Sequence, residues 1–426
     1  MKNYLSLLLL FVSFFSFSQK FDKKISDLIS SYENQVIELR HWFHENAELS
    51  NREFKTSERI AEELRKIGLN PQTGIAKTGV VALLKGGKPG PVVALRADID
   101  GLPVKERADL TWASKMTGEY NGDTVPVMHA CGHDTHTAIL LGVAKVLYEI
   151  KDQIPGSVKF IFQPAEEGAP PGEEGGASLM VKEGVLENPS VDAIFGLHIN
   201  SVLPVGMIGY KPLGAMAASD RFVIKVQGKQ THGSQPWGGV DPILISAKII
   251  DGLQTIISRE SDLTNEAAVI TVGKIKAGVR FNIIPETAEM VGTIRTLDYK
   301  MRDHIGKRMK EMVSAIAATY GGTATVDIVN GAAITYNDAN LVGQMLPTLQ
   351  KTAGKEQVML MKAITGAEDF SFFQEKVPGF YFFLGGNTPG NKEAFPHHTP
   401  DFKIDDAGML LGVKTLSEMA LDYLSH

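Results

Sequence analysis

The 426-residue chain predicts an α/β catalytic domain with a mixed, largely parallel sheet flanked by helices, interrupted by a smaller ferredoxin-like α+β domain. Three observations carry this. Short apolar runs of buried-strand type alternate with helical periodicity over the first half. The middle of the chain then changes to a β-α-β-β-α-β order. From Leu341 to His426 helix and strand alternate again. The expected boundaries are a leader over 1–18, a catalytic part over 19–213, an inserted domain over 214–331 and a second catalytic part over 332–426.

The elements follow in order. Lys2 precedes an apolar run from Leu5 to Val12, continued by Phe14 and Phe15 to Ser16-Phe17-Ser18. A basic start, a short apolar core and small residues at the end predict a signal peptide cleaved near Ser18, and export to periplasm or medium. The run is shorter than the ~20 residues a membrane span needs, so no membrane association is expected after cleavage. Ile25–Ala47 has helical period. Ser50-Asn51-Arg52-Glu53 has the spacing of a capping box, opening a helix that runs to about Ile67 and stops at Gly68. Val92–Leu95 reads as a buried strand ending in Arg96-Ala97-Asp98-Ile99-Asp100, and Thr137–Ile150 as a helix. Strands over Val158–Phe162 and Ala193–Leu197 end in Gln163-Pro164-Ala165-Glu166-Glu167-Gly168 and in His198. Polar residues thus gather just after strands, where open α/β sheets place ligands.

In the middle, Arg221–Val226 alternates as a strand and Pro242–Arg259 is an amphipathic helix. Ala267–Ile275 and Thr287–Arg295 read as strands, Tyr299–Tyr320 as a helix and Thr323–Val329 as a strand. Pro204, Pro212 and Gly214 before this block, and Gly331 and Asn337 after it, mark the joints.

Composition narrows the function classes. Hydrophobic residues at 43% and charged residues at 22% are the balance of a globular protein. A net charge of -6 without any Lys/Arg block argues against nucleic acid or an anionic membrane as partner. One cysteine makes an internal disulfide impossible. In an exported chain such a lone thiol is an accident or a ligand, which draws attention to Cys131.

Four clusters carry chemistry. In His129-Ala130-Cys131-Gly132-His133-Asp134-Thr135-His136, Cys131 and His133 can converge on a cation if Gly132 bends the chain, and thiolate with imidazole suits zinc or a similar transition metal. The same run also suits a polar helix start with an inert buried thiol. Glu166-Glu167 follows a buried strand; a cation can accept one carboxylate while the other works as acid and base, whereas a solvated loop is the plainer alternative. Glu173-Glu174 sits in a Gly/Pro-rich loop and reads as solvated. His198 closes a strand, a place where a lone histidine is more often structural. Pro396-His397-His398-Thr399-Pro400 pairs two imidazoles in an extended loop. Taken together, Cys131, His133, Glu167, His198 and His398 are five candidate ligands, more than the about three that one catalytic zinc takes from protein, so two ions fit better. Glu166 is then the general acid/base. No Gly-x-Ser-x-Gly elbow supports a serine hydrolase.

From about Leu39 to Asp406 the chain resembles the metallopeptidase family that unites aminoacylases with zinc carboxypeptidases. Within it, the resemblance is to the amidohydrolase subgroup of hippurate hydrolases, N-acyl-amino-acid amidohydrolases and plant auxin-conjugate hydrolases. It is carried by Arg96–Pro103, Met128–His136, Gln163–Gly168, Gly196–His198, Thr231–Pro236, Phe281–Pro285, Gly292–Arg295, Gly366–Phe370 and His398–Pro400. The resemblance implies the same five ligands, Glu166 as base, and two divalent ions per chain, zinc or manganese with cobalt or nickel as alternatives. It further implies Asp100 as the carboxylate that orients a ligand and His232 as donor to the oxyanion. Asn282 and Arg295 become substrate contacts, and the inserted domain a lid that pairs two chains into a homodimer. The implied substrate is an N-acylated amino acid. Alternatives are an exported dipeptidase or carboxypeptidase, and a non-catalytic metal-binding protein, against which the intact Glu166 argues. Two departures stand out: Ala47 replaces a common proline, and His397 adds an imidazole beside His398, which the spacing to Pro400 favours as the ligand.

Overall fold

The computed structural model describes residues 23–425, so the leader expected over 1–18 lies outside the described residues. The chain divides into two units. The larger takes the sequence up to Tyr210, Asp338–Met361 and everything from Lys376 on. The smaller takes Lys211–Asn337 and also Lys362–Glu375, a segment that lies beyond the 214–331 span read from the sequence.

The larger unit is built on an eight-stranded mixed sheet. Its order is Gln72–Ile75, Gly79–Lys85, Pro155–Gln163, Lys88–Asp98, Ala193–Pro204, Gly379–Asn387, Ile208–Tyr210, Val358–Leu360. The four strands from Pro155–Gln163 to Gly379–Asn387 are mutually parallel. Antiparallel pairs flank them on both sides, and Val358–Leu360 returns to parallel at the edge. Consecutive residues Phe160, Ile161 and Phe162 are all fully buried. Both faces of that strand are therefore covered, which is why central parallel strands read as unbroken apolar runs instead of alternating ones. Helices Glu33–Glu45, Phe54–Ile67, His133–Glu149 and Met409–Leu424 share this core through Phe43, Leu64, Leu140 and Leu416.

Three differences from the sequence reading bear on the polar site. The first long helix is interrupted by a turn at Tyr32. The helix expected from Thr137 begins at His133, with Gly132 at its N-cap in the left-handed region at φ +92°. The strand expected to end before His198 continues to Pro204, because its register with Gly379–Asn387 persists past His198 while the Lys88–Asp98 ladder stops at Gly196. His198 is thus inside a strand whose one side has opened.

The Ser50–Glu53 capping box does not form. The helix starts at Phe54 with no side-chain cap from Glu53. The Glu48 carboxylate takes the main-chain N–H of Thr56 at 2.9 Å and of Lys55 at 3.3 Å instead.

The smaller unit has a four-stranded antiparallel sheet in the order Ala268–Ala277, Thr287–Thr296, Ala218–Gln227, Thr323–Val329. Helices Pro242–Thr255 and Tyr299–Thr319 complete the ferredoxin-like arrangement. Phe222, Ile224 and Val226 alternate into its core, as a strand covered on one face requires. Asp241 and Asp298 accept first-turn amide protons of the two helices. No helix among the described residues is long and apolar enough to cross a membrane.

Candidate metal centre

The polar residues of the larger unit converge past the ends of its parallel strands. Asp100 follows Lys88–Asp98, Glu166 and Glu167 follow Pro155–Gln163, and His198 lies in the opened part of Ala193–Pro204. The start of His133–Glu149 brings His133, with Cys131 just before its N-cap Gly132, and the loop after Gly379–Asn387 brings His397 and His398.

Cys131 is central to the cluster. Its Sγ lies 3.4 Å from His198 Nε2 and 3.3 Å from His398 Nε2. Cys131, His133 and Glu167 also form a group of donors within mutual reach, and His398 Nε2 lies 3.1 Å from Glu167 Oε1. Two donors on one ion at 2.0–2.3 Å stand roughly 3–4 Å from each other, so these spacings are those of ligands sharing cations. The sulfur belongs to two groups of donors, Cys131/His133/Glu167 and Cys131/His198/His397, and His398 stands between Cys131 and Glu167.

His133 supplies the sharpest test of fit. Its ring is fully buried and Nδ1 meets Asp100 Oδ1 at 3.1 Å. Nε2 has no hydrogen-bond partner, although Asp98 Oδ2 and Glu166 Oε2 are 3.9 Å away and Glu167 Oε1 is 4.0 Å away. A buried nitrogen facing carboxylate oxygens just out of hydrogen-bond range suits a cation between them.

The electrostatics agree. Burial, and the charges of Glu167, Glu166 and Asp98, push the Cys131 thiol well above its usual range. Against the effect of burial, Asp98 and Asp100 push His133 up to about 10. Burial and the neighbouring His136 and His397 hold His198 well below the normal imidazole range. So many acidic groups in a low-dielectric pocket call for positive charge, and a bound transition metal deprotonates a coordinating thiol.

Second contacts fix the donors. Asp100 Oδ2 accepts from the Ser50 hydroxyl at 2.7 Å and from the Glu167 N–H at 3.1 Å, so one carboxylate orients both His133 and the Glu167 loop. His198 Nδ1–H donates to the Ile199 carbonyl at 2.6 Å, which leaves Nε2 bare toward Cys131. Ile199 is itself held by its N–H, donated to His136 Nε2 at 2.8 Å, while His136 Nδ1 bonds Asp98 Oδ1 at 2.5 Å. Asp134, next to His133, accepts from buried Arg40 at 3.1 Å and His44 at 3.0 Å. Asp98, His136, Arg40 and His44 were not expected from the sequence as parts of this centre. The signal was present for two of them: Asp98 is two residues before Asp100 on one strand, and His136 is one helical turn after His133.

His232, Asn282 and Arg295 belong to the smaller unit. His232 is exposed on a two-residue strand paired with Ile283-Ile284, and its Nδ1 accepts the Ser234 N–H at 3.1 Å. The Asn282 carbonyl accepts from the N–H of Gly233, so His232 and Asn282 lie side by side. Arg295 is apart from them on Thr287–Thr296, its guanidinium turned to the Thr293 hydroxyl and, at 3.3 Å, to the Ile294 carbonyl.

Comparison with known proteins accords with this geometry. A model of peptidase family M20/M25/M40 matches residues 94–422. The chain is 40% identical over 403 residues to thermostable carboxypeptidase 2 of Saccharolobus solfataricus, covering 94% of this chain and 98% of that one. It is 38% identical over 398 residues to the N-acetylcysteine deacetylase of Bacillus subtilis, covering 92% and 97%. Among solved structures, the Bacillus subtilis YXEP protein, a dinuclear metal-binding peptidase of the M20 family, superposes with a TM-score of 0.78 at 35% identity, covering 93% of this chain and 99% of its own. The extent of these matches, together with the converging donors, shows that the chain belongs to peptidase family M20/M25/M40 and is a hydrolase of amide or peptide bonds.

Proposed function

We propose that this protein hydrolyses the amide of N-acyl-L-amino acids, releasing a carboxylic acid and the free amino acid. The carrying observation is the division of labour at Glu166-Glu167. Glu167 lies among the donors, 3.1 Å from His398, while Glu166 is a second carboxylate 3.9 Å from the bare nitrogen of His133. Two divalent ions, zinc or manganese with cobalt or nickel as alternatives, fit Cys131, His133, Glu167, His198 and His398, and when bound they polarise the acyl carbonyl and acidify water. Glu166 accepts a proton from the attacking water as its oxygen bonds to the acyl carbon. It returns that proton to the amide nitrogen as the carbon–nitrogen bond breaks. Asp100 keeps His133 in the tautomer whose Nε2 lone pair faces the donors. His232 is assigned as hydrogen-bond donor to the oxyanion, and Asn282 and Arg295 as substrate contacts, the Arg295 cation suiting the substrate carboxylate.

The deacetylase relative supports an acyl substrate, and the carboxypeptidase relative favours a second reading, cleavage of peptides, by the same groups. The leader-like start supports export. The test is free-amine release from N-acetyl, N-benzoyl and N-indoleacetyl amino acids and from dipeptides, with metal-loaded and chelated protein. Turnover on an acyl class that chelation abolishes is the expected result; turnover on dipeptides alone selects the second reading. Glu166→Gln is expected to lower kcat by roughly 10²–10⁴-fold with bound metal unchanged. A parent that binds metal yet turns nothing over would point to a binding protein.

A further inference from the structure

Ser50 and Glu53 have the spacing of a helix cap, yet the Phe54–Ile67 helix is capped by Glu48. Both side chains point elsewhere. The Ser50 hydroxyl donates to Asp100 Oδ2 at 2.7 Å. Glu53 is fully buried; its Oε1 accepts from the Ala165 N–H at 2.9 Å and its Oε2 from the Thr78 hydroxyl at 2.6 Å. Ala165 holds φ +52°, in the left-handed region, immediately before Glu166. A residue with a Cβ keeps such a backbone only where its surroundings over-determine it. The turn is tied on its other side too, because the Glu167 N–H donates to Asp100. Glu166 is therefore bracketed, with Glu53 holding the residue before it and Asp100, steadied by Ser50, holding the residue after it.

We propose that Glu53 is a positioning residue for the general base, fixing through the Ala165 amide the turn that presents Glu166, with Ser50 securing the opposite side through Asp100. The proposal rests on the reading of Glu166 as the base. Burial and the charge of Asp100 push Glu53 up to about 8, and glutamine has nearly the same shape. Glutamine retains an oxygen for the Ala165 N–H and a polar partner for Thr78. Methionine fills similar volume with neither.

The experiment compares Glu53→Gln, Glu53→Met and Glu166→Gln in the metal-loaded full chain, on whichever substrate the parent turns over. Glu53→Met is expected to lose about 10²-fold in kcat, the scale of an ångström's misplacement, with KM and bound metal at parental values. The acidic limb of its kcat/KM profile is expected to move, since the base has changed surroundings. Glu53→Gln is expected to recover most of kcat and the parental limb. Parental kcat in Glu53→Met overturns the proposal, as does a Gln variant impaired equally. Loss of metal alongside kcat in the Met variant also overturns it, because the defect is then in the donor set. Should that variant not fold, Glu53→Asp, which withdraws the acid by one methylene from Ala165, carries the same expectation and the same overturning result. Parental turnover in Glu166→Gln sinks the general-base reading itself, an outcome distinct from any Glu53 result.

Discussion

His397 and His398 are neighbours whose ring nitrogens have different partners. The Nδ1–H of His397 donates to the Cys131 carbonyl at 3.2 Å, and its Nε2 accepts the Ser201 N–H at 3.3 Å. Both nitrogens have main-chain partners, so His397 ties the Cys131 loop to the His198 strand, although its Nδ1 also lies 3.7 Å from Cys131 Sγ, which makes it the competing candidate donor. His398 instead stands at φ +62°, with Nε2 between Glu167 and Cys131. A strained backbone at such a position is a mark of function. His398→Ala is expected to lose an equivalent of bound metal per chain. His397→Ala is expected to keep the stoichiometry and weaken affinity about 10–100-fold, the usual loss for an outer contact. Titration calorimetry with metal-free protein separates these, and the reverse pattern would exchange the two assignments. Only part of this was legible in the sequence: the spacing to Pro400 favours His398, but the occupation of both His397 nitrogens depends on residues almost 200 or more positions away.

The helix His133–Glu149 shows how one element serves both packing and chemistry. Its apolar residues Ala138–Val143 are buried, while its first turn presents His133 and His136. Gly132 makes that possible: it is left-handed, and a Cβ there would lie 2.3 Å from Ile199 Cγ2. Gly132→Ala is expected to destabilise the protein by about 1–3 kcal/mol from backbone conformation alone. It should also impair metal binding, because Cys131 and His133 flank the change. Asp241→Ala is the contrasting case. Asp241 caps Pro242–Thr255 in the smaller unit, so its loss is expected to lower stability by about 1 kcal/mol and leave metal stoichiometry alone. Thermal unfolding with metal analysis of both variants checks the pair. Equal effects on metal would contradict the confinement of the donors to the larger unit.

For the whole molecule, the two units carry different surfaces. The larger encloses acids and imidazoles that call for cations. Among the described residues, Ala268–Ala277 of the smaller unit pairs on one side only, with Thr287–Thr296, and Val269 and Ile275 are exposed along it. An open edge with apolar side chains is a template for pairing with another chain. We propose that two copies meet there, forming the homodimer expected from the sequence. Light scattering is expected to give twice the chain mass, and Val269→Lys with Ile275→Lys to give the monomer with its metal content unchanged. A monomeric parent would remove the proposal.

What the sequence determined alone is whatever depends on local pattern. The alternation of apolar runs with helical period specified the interrupted α/β architecture. The residue types in Met128–His136, Gln163–Gly168 and His398–Pro400 pointed to a metal site with an acid/base beside it, and the hydrolase family followed from the resemblance that these and the other motifs carry. Ser50 and Glu53 show where local pattern misleads: their spacing is right for a cap, but the buried Ala165 amide and Asp100 compete for the same side chains. Tertiary structure decided that competition, along with the tie of His136 to Ile199 and the strand that carries His198 on to Pro204. These are contacts between residues far apart in the chain, and a hydrogen bond goes to whichever partner burial deprives of water, which only the fold determines.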